Sequence, residues 1–255
     1  MKLSHVFVAL CILLSTPALA AVKERQVALP DDLGNAVIYT SKGKKPGPAV
    51  IVVHEWWGLN DYARNRARQL AEAGYTAIAV DMYGHGKVAG HPKDANGFMQ
   101  AALAEPEKMS ARFNAARSLL AAERNVDESR IYGVGYCFGG AVVLNQARMG
   151  ASLAGVASFH GSLGTTTPAQ AGNVKARILV ATGGADPMVP PQQVGDFVTE
   201  MGNAAVDLKL LSFPGVLHSF TNPAATAVGK EFDMPLAYDE QADKASWQAL
   251  MDFIK

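Results

Sequence analysis

The sequence is poor in cysteine. Its 255 residues contain two, Cys11 and Cys137, and no C-x-x-C pair. That scarcity excludes a disulfide scaffold and a dithiol redox motif. Charge of one sign is also missing: 23 Lys and Arg balance 23 Asp and Glu, for a formal net charge of +0. There is no dense Lys/Arg cluster, so nothing electrostatic points to nucleic acid or an anionic membrane as a partner. No apolar run reaches the ~20 residues needed to cross a bilayer. The H-E-x-x-H zinc pattern is absent, because Gly58 stands where His54-Glu55 would need its second histidine. What remains is ordinary globular material, 49% hydrophobic and 18% charged, with enough apolar surface for a sizeable core.

The first 20 residues carry a layout of their own. Lys2 and His5 make a short polar start, Val6 to Leu14 is apolar, and Ala18-Leu19-Ala20 ends in small residues. This three-part pattern predicts a secretory signal peptide cleaved after Ala20. Leu10 before Cys11 is not small, and no twin-Arg pair is present, so lipidation and the twin-arginine route are not expected. The expectation is an exported protein, periplasmic or secreted, with no membrane anchor and one domain over residues 21–255. Cys11 leaves with the signal. Cys137 then stands as a lone thiol in an oxidising compartment, protected by burial or kept for its reactivity.

Beyond Ala21 strand-like and helix-like segments alternate. Ala49 to Val53, Thr76 to Val80, Ile131 to Tyr136, Leu153 to Phe159, Arg177 to Thr182 and Asp207 to Phe213 read as strands. The more continuous apolar runs suit strands buried on both faces. Helical spacing marks Asp61 to Ala73, Pro106 to Glu123, Phe138 to Arg148, Pro191 to Met201 and Gln241 to Ile254. Asp61 is the expected N-cap of the first helix and Gly74 its stop. Tyr83 to Asn96, Gly161 to Asn173 and Thr221 to Tyr238 read as irregular. Strand–helix alternation predicts an α/β fold with a mostly parallel central sheet and helices on both faces.

The chemistry concentrates at Gly135-Tyr136-Cys137-Phe138-Gly139-Gly140, between a strand and a helix. This is the nucleophile-elbow pattern, G-x-nucleophile-x-G, with Cys in the reactive place. The helix N-terminus behind the sulfur favours a thiolate. Alone, the pattern fits a buried structural cysteine equally well. Two further residues tip the reading: Asp186 follows the strand ending at Thr182, and His218 follows the strand ending at Phe213. An Asp before Pro187 is often only a turn residue, and a loop histidine often has no task. The order nucleophile, acid, base, each after its own strand, is that of α/β-hydrolase triads. Cys137 then attacks a carbonyl, His218 handles the protons and Asp186 orients the imidazole. The oxyanion donors expected are the backbone N–H groups of Phe138 and Trp56.

The loop His54-Glu55-Trp56-Trp57-Gly58-Leu59 places a carboxylate beside two indoles. Burial there raises a carboxyl pKa. Glu55 is expected to contact the Cys137 sulfur and set its protonation, with a solvated loop Glu as the alternative. Trp57, Tyr83, His85, His160 and Phe220 are candidates for the pocket wall, His160 being as compatible with a structural role. Asp81, His85 and His91 are too irregularly spaced to define a metal site.

As a set these motifs resemble the dienelactone hydrolase family. The resemblance rests on the His54–Leu59 segment, Asp81-Met82-Tyr83-Gly84, the Cys137 elbow, Gly184-Ala185-Asp186 and His218-Ser219-Phe220, with Ala237-Tyr238 and Ser246-Trp247 near the end. It implies an α/β-hydrolase fold, a Cys137-Asp186-His218 triad, a Glu55 that meets the resting thiol, and no metal or organic cofactor. It further implies a small ester, lactone or thioester as substrate. The arginines that hold the dienelactone carboxylate in that family are missing from Gly84-His85-Gly86-Lys87 and Thr221-Asn222-Pro223. His85 or Lys87 offers a cation but no bidentate fork. Dienelactone itself is therefore not the expected substrate. Two other readings of the same residues are a ligand-binding member without catalysis and a thiol sensor. Oligomeric state is not legible.

Overall fold

A computed structural model describes residues 22–41 and 45–255. The expected signal segment and its cleavage point lie outside the described residues. The strands are β1 (Lys23–Leu29), β2 (Gly34–Thr40), β3 (Gly47–Val53), β4 (Thr76–Val80), β5 (Val126–Tyr136), β6 (Gly155–Phe159), β7 (Arg177–Gly183) and β8 (Leu208–Phe213). They form one sheet in the order β1-β2-β4-β3-β5-β6-β7-β8. The β1–β2 and β2–β4 pairings are antiparallel, and every pairing from β4 across to β8 is parallel.

The helices are α1 (Asp61–Glu72), α2 (Pro92–Leu103), α3 (Pro106–Ala121), α4 (Phe138–Arg148), α5 (Pro191–Asn203), α6 (Ala225–Glu231) and α7 (Glu240–Phe253). Strand side chains alternate between faces, so β3 sends Ile51 and Val53 one way and Val50 and Val52 the other. The first pair joins Phe113 of α3, Val143 of α4 and Phe197 of α5. The second joins Ala67 and Leu70 of α1 and Leu250 of α7. Both faces of the central strands are thereby dry, which is why their sequences are continuous apolar runs.

Several boundaries differ from the sequence reading. Asn60, not Asp61, caps α1: its side-chain oxygen accepts from the Ala63 N–H at 3.3 Å. Asp61 sits inside the first turn, where its charge suits the helix dipole. Gly74 ends α1 as expected, at φ +100°. The stretches read as irregular contain the start of α2 and all of α6. His91 caps α2, accepting from the Lys93 N–H at 3.1 Å, and Pro92 occupies its first turn. The β1–β2 hairpin was not assigned from the sequence at all. The exposed positions of β1 give it no buried stripe to read.

Candidate active site

All the loops singled out by sequence leave the C-terminal ends of the parallel strands. Trp56 follows β3, Tyr83 follows β4, Cys137 follows β5, His160 follows β6, Asp186 follows β7 and His218 follows β8. In a parallel sheet those ends share one edge, so topology alone gathers these residues.

Cys137 sits at φ 52° and ψ −115°, a backbone state that L-residues avoid. The surroundings enforce it. The Cys137 N–H donates to Phe159 O at 3.0 Å, and the Gly139 N–H donates to His54 O at 3.1 Å. These bonds pin the turn between the ends of β6 and β3. The flanking glycines are sterically required: a Cβ on Gly135 would lie 2.0 Å from Gly139 O, and one on Gly139 would lie 2.4 Å from Val53 O. Cys137 is half-buried and free, and its side chain caps no N–H of α4. Neither the Phe138 N–H nor the Trp56 N–H has an acceptor among the described residues. Unspent donors at such a turn are what an oxyanion site requires.

His218 Nδ1 and Asp186 Oδ2 are 2.7 Å apart, and both residues are buried. Asp186 also keeps the turn role, since its Oδ1 accepts from the Met188 N–H at 2.8 Å. One carboxylate thus shapes its own loop and holds the imidazole. The other ring nitrogen, His218 Nε2, has no hydrogen-bond partner of good geometry among the described residues. Burial alone would depress the His218 pKa, but the charge on Cys137 and the bond to Asp186 outweigh it and push it up to about 10. Cys137 and His218 are therefore electrostatic neighbours without a fully formed hydrogen bond, an arrangement common before substrate binds. Both face the same cavity, of about 410 Å³.

Glu55 is buried, and burial raises its pKa against the opposing pull of its hydrogen bonds. Its carboxylate does not serve the sulfur as expected. Oε1 accepts from Ser219 Oγ at 2.8 Å and Oε2 from Asn222 Nδ2 at 2.7 Å. Glu55 grips the loop that carries His218.

The expected wall residues are placed elsewhere. Trp57 packs in a satellite cluster with Ala89 and Ala95. Tyr83 donates through its hydroxyl to Trp56 O at 2.9 Å and, with exposed His85, borders a separate small cavity. Phe220 is fully buried in the core under α1 and α7. His160 is likewise buried behind His218, their ring centroids 5.2 Å apart, and desolvation drives its pKa well down. Trp56 does line the cavity; its other walls include Met99, Leu103, Met188 and Leu236. Asp81 accepts from the N–H groups of Tyr83, Gly84 and Gly86, so it organises its loop through the backbone.

A second layer was missed. Arg66 on α1 is buried, pairs with Asp243 of α7 at 2.5 Å and donates to Thr221 O. Thr221 Oγ1 in turn lies 2.8 Å from His160 Nε2. Arg66 and Glu55 thus hold the 218–222 segment from two sides. The available signal was Ser219, Thr221 and Asn222 crowded beside His218.

The comparisons agree with this architecture. A family model described as "Dienelactone hydrolase family" matches residues 35–255. "Protein usf" of Aquifex pyrophilus is 28% identical over 85% of this chain and 91% of its own. A "Putative carboxymethylenebutenolidase" of Aquifex aeolicus (strain VF5) is 27% identical, with the same shares of 85% and 91% covered. Among solved structures, a dienelactone hydrolase-like promiscuous phosphotriesterase from metagenomic libraries superposes with TM-score 0.83 at 32% identity, covering 92% of this chain and 98% of that one. With a match this long and a sheet of this topology, the chain belongs to the dienelactone hydrolase family of α/β-hydrolases.

Proposed function

We propose that this protein hydrolyses small carboxylic esters, lactones or thioesters through Cys137, His218 and Asp186. The carrying observation is the His218 ring, with one nitrogen bonded to buried Asp186 and the other left free beside Cys137. The thiolate of Cys137 adds to the carbonyl carbon, and the oxyanion accepts from the N–H groups of Phe138 and Trp56. The tetrahedral adduct collapses to a thioester as His218 gives its proton to the leaving alkoxide. A water then loses a proton to His218 and adds to the thioester. Collapse of the second adduct releases the acid and restores the thiolate–imidazolium pair. The sum is one ester and one water giving one acid and one alcohol.

The protein is further read as one domain over residues 21–255, exported to the periplasm or beyond after loss of residues 1–20. Residues 1–20 carry the reading of export, and a mature N-terminus at Ala21 in the secreted fraction tests it.

Glu55 acts on the thiol through His218. An ionised Glu55 favours the imidazolium, and the attraction is mutual, since His218 lowers the Glu55 pKa. Glu55→Gln removes that charge and leaves an uncharged amide facing Ser219 and Asn222. His218 then releases its proton at lower pH than in the wild type. Alkylation of Cys137 by iodoacetamide, followed against pH, reads the change: the profile moves to lower pH on its alkaline side. An unchanged profile restricts Glu55 to holding the loop.

A further inference from the structure

We infer that the site is built for a long, unbranched, uncharged acyl chain, laid from Cys137 along the outer face of α4. The inference rests on the acyl transfer to Cys137 proposed above and specifies the acyl group.

The cavity that holds Cys137 does not end at the sulfur. A second cavity, of about 380 Å³, adjoins it. The two share Leu103, Phe138, Ala141 and Asn145 as lining. Cys137, Ala141, Asn145 and Met149 recur every fourth residue, and that spacing lines them up on one helix face. At about 1.5 Å rise per residue, the path from Cys137 to Met149 is about 18 Å long.

The lining fits an alkyl chain. No Lys, Arg, Asp or Glu lines the cavity around Cys137. Arg148 is the single charged side chain lining the second cavity, and its guanidinium is spent on Glu200 and Leu163 O. Past His218, a carboxylate entering this path would lose its hydration and meet no free cation. Apolar surface, in contrast, is on offer. Among the described residues, Leu103, Met149 and Met188 are three of five large hydrophobic side chains left exposed, and all three border these cavities. Apolar side chains left open to water in one place mark a binding surface. Flexible methionines adapt to a chain with many conformers. Thr165 to Thr167 edge the far cavity, giving the floor a polar rim.

The test compares kcat/KM for p-nitrophenyl butyrate, octanoate and dodecanoate. The wild type gains at least about tenfold from butyrate to dodecanoate, a gain that burying roughly two of the added methylene groups is enough to supply. Ala141→Trp fills the shared neck between the cavities and lowers the dodecanoate-to-butyrate ratio by at least about tenfold. Met149→Asp, at an exposed site, lowers the same ratio and leaves octanoate-to-butyrate largely as it was. A flat or falling chain-length series in the wild type, or ratios unmoved in both variants, overturns the inference. A second arm needs no turnover: 1-decanol, unlike 1-butanol, slows iodoacetamide alkylation of Cys137, and Ala141→Trp removes the protection. Loss of ester hydrolysis with decanol protection intact rejects the hydrolase reading and keeps the groove. Hydrolysis without protection or chain-length preference does the reverse.

Discussion

Replacing Cys137 by alanine lowers kcat/KM for p-nitrophenyl butyrate by roughly 10⁴-fold or more, the loss expected when a nucleophile is removed from a unit that acts together. The fold survives, because Cys137 is only half-buried and its sulfur accepts no capping bond from α4. Alanine also adopts the φ 52° geometry no worse than cysteine, since both carry a Cβ. His218→Ala produces a comparable loss for a different reason: the proton carrier is gone while the sulfur stays. Spectrophotometric rates for the two variants, alongside unchanged far-UV circular dichroism, check both. The Cys137 change has a second readout. His218 loses the charged neighbour that most raises its pKa, so its titration, followed by NMR, moves to lower pH than in the wild type. Equal hydrolysis rates in wild type and both variants end the hydrolase reading.

Gly139→Ala is expected to be among the most damaging single methyl additions at the site. Its Cβ would meet Val53 O at 2.4 Å and His54 O at 2.7 Å, both backbone atoms at the end of a central strand. Nothing flexible is available to give way, so the elbow or β3 must shift, at a cost of about 3 kcal/mol or more. The shift also moves the Phe138 and Trp56 N–H groups relative to each other, which costs activity even where the protein folds. Gly195→Ala is the internal contrast. Gly195 lies within α5 with nothing within 4 Å of a Cβ, so alanine there stabilises by roughly 0.5–1 kcal/mol. Urea unfolding midpoints of the two variants should move in opposite directions. A Gly139→Ala protein as stable and active as the wild type contradicts the steric account of the elbow.

The parallel core was readable because burial on both faces writes itself as uninterrupted Val, Ile and Ala in β3 and β4. The elbow was readable because steric exclusion at Gly135 and Gly139 leaves glycine as the residue that fits. Asp186 and His218 were readable from order, since each follows a strand and parallel strands share an edge. The hairpin β1–β2 was not, because it is an antiparallel edge whose outer strand is largely exposed. Nor were the cavity walls: Met99 and Leu103 of α2 meet Met188 and Leu236 from two distant segments, and no local period brings the three segments together. Aromatic residues near the motifs were better hydrophobic candidates by sequence, yet Trp57 and Phe220 are spent on packing. Glu55 shows the limit most clearly. Its burial followed from its tryptophan neighbours, but its partners, 164 and 167 residues away, belong to the tertiary fold.

The acyl group must pass through sulfur if the account is right. Protein is mixed with p-nitrophenyl butyrate, quenched in acid within the first turnovers, digested and weighed by mass spectrometry. The account predicts a butyryl mass on the peptide containing Cys137, growing when His218 is replaced by a residue that cannot activate water after acylation. Butyryl on a serine or lysine peptide, or active wild-type enzyme that never acquires the mass under any quench time while His218 variants also stay unmodified, contradicts it.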